Sequence, residues 1–163
     1  MKKYFENLLK EKILSYCLLE ESNRENDVRK AYKIETSSKT LCLKMHSNNF
    51  TSTRRVNAVA LLIEKYKETG YYCPSFLPFF QGEYTTESIV EGVKYVVWVE
   101  EFSLYMTTKR DVLDASINLR KEKIRYLGIV ANALKGYPFS YVSPYVMYES
   151  FDAWQDMDEY EEY

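Results

Sequence analysis

The chain has 163 residues, enough for one domain with a substantial core and too few for two ordinary ones. With 46% apolar residues, sixteen tyrosines and 28% charged residues it has the composition of a folding chain rather than a disordered one. A formal net charge of −2 argues against general nucleic-acid binding, which needs a basic surface to displace counterions from phosphates.

The three cysteines, Cys17, Cys42 and Cys73, are few, odd in number and widely spaced, the usage of reduced thiols in a cytoplasmic protein rather than of a disulfide framework. With His46 the only histidine and no CxxC pair, a zinc cluster lacks ligands, and any Ser-His-Asp or Cys-His site would have to be built on that one residue. Charges interrupt the apolar run of MKKYFENLLKEKILSYC, which is therefore read neither as a signal peptide nor as a membrane span.

In chain order, Phe5, Leu8, Leu9, Ile13 and Tyr16 recur at helical spacing and predict an amphipathic helix over residues 2–20. The polar ESNREND (Glu21 to Asp27) reads as a loop. VRKAYKIET (Val28 to Thr36) and TLCLKM (Thr40 to Met45) alternate with period two across Ser37-Ser38-Lys39, the signature of an antiparallel hairpin. From Ser52 to Thr69 the pattern Val56, Val59, Ala60, Ile63, Tyr66 predicts a helix, with Gly70 placed for a left-handed end.

Pro74 and Pro78 exclude a central strand until Phe79. TTESIVEG reads as a turn region, and KYVVWVEEF (Lys94 to Phe102) as a buried strand. Residues 109–135 return to helical spacing, with Ile117, Ile124 and Ala131 seven apart and Leu113, Leu127 and Leu134 on the same side. The order of elements, with no repeated βαβ unit, marks an α+β class with an antiparallel sheet and packed helices. The expected division is residues 1–104 as an α+β domain with an N-terminal helix, and 105–163 as a helical extension packed on it. That extension ends in an acidic aromatic tail, with seven acidic and no basic side chains in the last fifteen residues.

Within TLCLKM, Leu41 and Leu43 share one face of the strand and Thr40, Cys42 and Lys44 the other. A lysine two residues past a small apolar side chain has the layout of a kinase V-A-I-K strand, in which the lysine reaches nucleotide phosphates. A lysine ending an exposed strand is also common with no such role. More specifically, AYKIETSSKTLCLKM, then VNAVALLIEKYKETGYYCPSFLP, then KYVVWVEEF resembles the N-terminal small lobe of aminoglycoside/choline-kinase-like phosphotransferases over about residues 22–104.

The resemblance implies that Lys44 is the phosphate-binding lysine and that Cys42 forms part of the adenine roof. It implies that Glu100, Glu101 and Phe102 are the hinge, whose backbone N–H and C=O groups take the adenine edge. Ser22, Asn23 and Asn26 would lie in the loop over the phosphates, and Glu64 is the one acidic residue between Asn48 and Lys67 available as the lysine's helix partner. The cofactor implied is ATP, with magnesium held only by residues beyond this chain.

Departures from the pattern bound the reading. All five glycines (Gly70, Gly82, Gly92, Gly128, Gly136) fall at or after residue 70, so no glycine-rich turn precedes the lysine strand. His46 is not followed by Gly-Asp and no histidine follows Phe102, so the H-G-D-x-x-x-x-N segment that would supply the catalytic carboxylate is missing. The sequence is thus expected to be the nucleotide-binding lobe of a small-molecule phosphotransferase, inactive alone and cytoplasmic, with a C-terminal catalytic lobe as its complement. The competing expectation is a catalytically inert interaction module acting on a protein partner through its aromatic, acidic C-terminal segment. Through Gly70 the chain carries 14 basic against 9 acidic residues, a charge of +5, and 8 against 15 thereafter, a charge of −7. A basic small lobe suits phosphate, and an acidic continuation suits a cationic acceptor.

Overall fold

The computed structural model describes residues 1–79, 82–103, 105, 116–133 and 135. Helix α1 (Lys2–Leu9) leads into β1 (Ile13–Arg24), β2 (Asp27–Thr36) and β3 (Thr40–Asn48). Then follow α2 (Thr53–Lys67), β4 (Phe76–Leu77), β5 (Thr85–Val90), β6 (Val93–Glu101) and α3 (Ile117–Ala133). The strands form one antiparallel sheet in the order β1-β2-β3-β6-β4, with β5 also paired to β6. This is the α+β class expected, with the succession hairpin, lysine strand, helix and closing strands.

Each face of the sheet meets a helix. On one face Ile34, Leu41, Leu43, Met45, Tyr95, Val97 and Val99 pack with Ile13, Tyr32 and the fully buried Phe5 of α1. Phe5 makes edge contacts with the rings of Tyr16 and Tyr32 at 5.3 and 5.1 Å. On the other face Val56 of α2 joins Val96, Trp98 and Phe76. The β3 residues alternate between these layers as the sequence implies, with Leu41, Leu43 and Met45 buried in the first and Cys42, Lys44 and His46 turned to the second.

The helix expected over residues 2–20 stops at Leu9. Lys10 adopts a left-handed conformation (φ 53°) and the chain reverses into a twelve-residue edge strand. Ile13 and Tyr16, three apart, fit a helix as well as a strand interrupted by a bulge, and the register against β2 does shift between Ile13 and Ser15 and again between Leu18 and Glu20. Consequently Ser22 and Asn23 lie within β1 rather than in a loop, and the connection shrinks to Glu25-Asn26, with Asn26 at φ 60° between the paired Arg24 and Asp27.

TTESIV is likewise a strand, not a turn region. Only Glu91-Gly92, both with positive φ, turn the chain from β5 into β6. The prolines do confine strand structure in their segment, since β4 is two residues long and sits at an edge between Pro74 and Pro78.

Helix α2 starts at the Ser52 cap, whose hydroxyl accepts from the Arg55 N–H at 3.3 Å. Beyond it Gly70 (φ 81°) donates its N–H to the Lys67 carbonyl at 3.0 Å, as its placement in the sequence predicts. Helix α3 presents a different face from the one expected. Ile117, Ile124 and Leu127 are exposed, while Val130 is buried and Tyr126 meets the Tyr71 ring edge-on at 4.6 Å. Leu113, Leu134, residues 106–115 and the acidic tail lie outside the described residues.

Candidate functional site

Helix α2 covers only part of its face of the sheet. Beside it, under the β1–β2 hairpin, lies a cleft of about 400 Å³ lined by Glu20, Ser22 and Arg24 of β1, Asp27, Arg29, Lys30 and Ala31 of β2, Lys44 and His46 of β3, and Trp98 of β6. Residues of β1, β2 and β3 converge on this space, so a short polar side chain, four cations (Arg24, Arg29, Lys30 and Lys44), two carboxylates (Glu20 and Asp27) and an imidazole surround one small residue, Ala31.

Lys44 reaches the cleft from the lysine strand. Its Nζ donates to both Glu100 carboxylate oxygens at 2.8 Å, and the Trp98 indole N–H donates to Glu100 Oε1 at 2.7 Å. Cross-strand register explains the pairing: Cys42 lies opposite Glu100 and Lys44 opposite Trp98, so the lysine and the carboxylate are diagonal neighbours on one face. The Lys44 side chain retains 34% of its exposure while Glu100 keeps 13%, so the carboxylate is the anchored member and the ammonium the accessible one.

The rim of the cleft is fixed by Asp27. Its carboxylate takes the Arg29 guanidinium at 2.7 and 2.8 Å and the Asn48 side-chain amide at 2.7 Å, which ties the end of the hairpin to the start of the β3–α2 connection. These hydrogen bonds, that to Arg29 foremost, hold the Asp27 carboxyl below the ordinary carboxylate range. Asn48 Oδ1 in turn accepts from the N–H groups of Phe50 and Thr51. Lys30 pairs with Glu21 at 3.1 Å. Arg24 is exposed and, among the described residues, has no ionic partner.

His46 closes the floor, edge-on to Trp98 with ring centroids 4.6 Å apart and with Nδ1 3.3 Å from the Thr51 hydroxyl. Burial, reinforced by the nearby Arg29 and Lys44 charges and only partly offset by Asp27, lowers its pKa to about 4, so the imidazole is neutral at neutral pH. The site therefore offers hydrogen-bond donors and cations to an anion, beside the lining carboxylates Glu20 and Asp27 and over a neutral aromatic floor.

Of the residues singled out from sequence, Lys44 and Ser22 line this cleft, and Asn26 lines an adjoining polar recess with His46, Ser47, Asn48 and Thr51. Asn23 and Cys42 are not among the lining residues. Cys42 lies on the cleft face two positions before Lys44, half-buried, and burial raises its thiol pKa.

Glu64 is not brought to Lys44: it faces Lys67 at 3.4 Å on the outside of α2, and the lysine's partner comes from β6 instead. Asn57 of α2 donates to Glu83 at 3.1 Å. The N–H groups of Glu101 and Phe102, expected to meet an adenine edge, are also engaged within the chain. The Glu101 N–H goes to the Ser75 carbonyl at 2.9 Å and the Phe102 N–H to the Thr40 carbonyl at 3.3 Å, while the Phe102 ring lies under the Lys33 ammonium.

Sequence reasoning missed Arg24, Arg29, Trp98 and His46 as cleft residues. The signal of Arg24 appears once β1 is read as a strand, because Glu20, Ser22 and Arg24 then alternate onto the face that Lys44 occupies; Arg29, His46 and Trp98 share that face through β2, β3 and β6, by alternation and cross-strand register.

No protein-family model matches the chain, and no curated protein matches it. Among solved structures it is similar to spectinomycin phosphotransferase, APH(9)-Ia, in complex with ADP and spectinomycin, at 10% identity and a TM-score of 0.45. The match covers 97% of this chain and 52% of that one, so the chain spans about half the length of that protein.

Proposed function

We propose that this chain is the nucleotide-binding small lobe of a kinase-like small-molecule phosphotransferase, and that it holds the phosphates of ATP in the cleft under the β1–β2 hairpin. The observation that carries the reading is the Lys44–Glu100–Trp98 arrangement: an accessible ammonium at the mouth of a cation-lined cleft, held in place by a carboxylate that is itself fixed by an indole N–H. Two of the ammonium's three hydrogens engage Glu100 and the third is left for a phosphate oxygen. Glu100 serves as the positioning partner that Glu64 was expected to be.

Without glycines in the hairpin, backbone amides have no privileged approach to the phosphates. Side chains take that part: Ser22 and Arg24 from one strand and Arg29 from the other. The base is not assigned to the Glu101 and Phe102 amides, whose hydrogens are engaged within the chain. Among the described residues there is no group of three or more His, Cys, Asp or Glu side chains placed to hold a metal ion. Transfer itself needs a carboxylate to orient the acceptor hydroxyl, and the resemblance assigns that group to a second lobe. This chain's contribution is to bind and orient the donor.

Calorimetric titration with ATP tests the reading. Wild type should bind weakly and Lys44→Met should lose the heat while retaining its circular dichroism spectrum; equal titrations from the two folded proteins would remove Lys44 from the site. The interaction-module alternative rests on residues outside those described, and no contact in the described residues favours it.

A further inference from the structure

Among the described residues the outer edge of the sheet is β1, a twelve-residue strand paired on one side only, and it carries an unusual load of exposed apolar side chains. Leu14, Tyr16, Leu18 and Leu19 are 57, 41, 46 and 49% exposed, and Cys17 is exposed between them. An edge strand leaves a row of backbone N–H and C=O groups unpaired, and soluble proteins commonly blunt such an edge with charges, proline or brevity. The stretch Ile13–Leu19 has no charge and no proline. Its bulges, between Ile13 and Ser15 and between Leu18 and Glu20, flank a regular central run from Ser15 to Leu18 instead of interrupting it.

The charges that directly flank this run are opposite, with Lys12 before it and Glu20 after it, while the next residue on each side, Glu11 and Glu21, is acidic and pairs within the chain, with Lys39 at 4.0 Å and Lys30 at 3.1 Å. A strand with this pattern is complementary to itself when reversed. Antiparallel pairing about a dyad at Tyr16 sets Lys12 of one copy opposite Glu20 of the other and Leu14 opposite Leu18. Ser15 then meets Cys17, and the two Tyr16 side chains are neighbours. Facing sides agree as well: Ser15 and Cys17 pair with Glu35 and Lys33 on the cleft side of the sheet, while Tyr16 and Leu18 pair with Ile34 and Tyr32 on the core side.

We infer that β1 is a homodimer interface, in which two copies of this chain join their sheets edge to edge through antiparallel β1–β1 pairing centred on Tyr16. The partner is a second copy because the edge's charge pattern is self-complementary, and a closed two-fold pairing consumes the exposed edge on both copies. The inference does not depend on what the cleft binds.

Sedimentation velocity over a wide concentration range tests it, with circular dichroism on every variant. Wild type should form a dimer whose fraction rises with concentration. Leu14→Lys and Lys12→Glu should each lose the dimer, and Lys12→Glu combined with Glu20→Lys should restore it by exchanging the paired charges. A wild type that is monomeric throughout overturns the inference, as does a dimer indifferent to Leu14→Lys and Lys12→Glu, or one that the charge exchange fails to restore. On wild-type protein alone, a short bis-maleimide should yield covalent dimers that Cys17→Ser abolishes. A dimer in sedimentation that gives no Cys17-dependent cross-link places the contact elsewhere.

Discussion

Replacing Glu100 by glutamine removes the charge that faces Lys44 while preserving shape, and the Trp98 indole N–H can still donate to the amide oxygen. The Lys44 ammonium, about a third exposed, then falls back on water. Exposed ion pairs are worth about 0.2–1 kcal/mol, and breaking fully buried ones costs about 3–5 kcal/mol. A pair with 34 and 13% exposure and both carboxylate oxygens engaged falls between these limits, so Glu100→Gln should cost about 1–2 kcal/mol. Lys44→Met should cost more, about 2–3 kcal/mol, because it leaves the less exposed carboxylate with only the indole as partner. The double variant should be more stable than the sum of the single losses implies, giving a coupling of about 1–2 kcal/mol in a denaturant-unfolding cycle. Additivity within about 0.3 kcal/mol would refute the claim that Glu100 holds Lys44.

Two further outcomes follow from the packing and the electrostatics. Phe5→Ala should cost about 3–5 kcal/mol in the same unfolding assay, since the ring is fully buried between α1 and the sheet and touches Tyr16 and Tyr32. His46 titrates at about 4 in the fold and near 6.5 when unfolded, so between these values the unfolded chain holds a proton that the native one does not. Stability from this residue is intact above pH 6.5 and declines as pH falls, by at most about 3 kcal/mol below pH 4. His46→Gln should flatten that part of the stability-versus-pH curve.

The parts of the fold legible in the sequence are those where one period dominates. The β2–β3 hairpin, the capped α2 and the buried β6 all have it, and Leu41, Leu43 and Met45 fall on the core side as alternation demands. The N-terminal segment was misread because a bulged strand breaks period two: Ile13 and Tyr16 are three apart yet both lie along β1. β5 is misread because its run of polar residues, Thr85, Thr86, Glu87 and Ser88, resembles a turn, whereas the turn is confined to two residues with positive φ. Lys44 was legible as a functional candidate from its strand, but its partner was not. A cross-strand diagonal depends on the register of β3 against β6, separated by fifty-six residues from lysine to glutamate, and local spacing carries no information about it.

The most direct test of the cleft uses its own imidazole. His46 is the only histidine in the chain and lies on the cleft floor beside Trp98 and Lys44, so its ring resonances are free of overlap and report on the cleft and the recess adjoining it. In a two-dimensional NMR titration with ATP, the His46 ring signals should shift in a saturable way in wild type and stay in place in folded Lys44→Met. Ring signals that do not move at saturating ATP, or that move equally in both proteins, would contradict nucleotide binding in this cleft through Lys44.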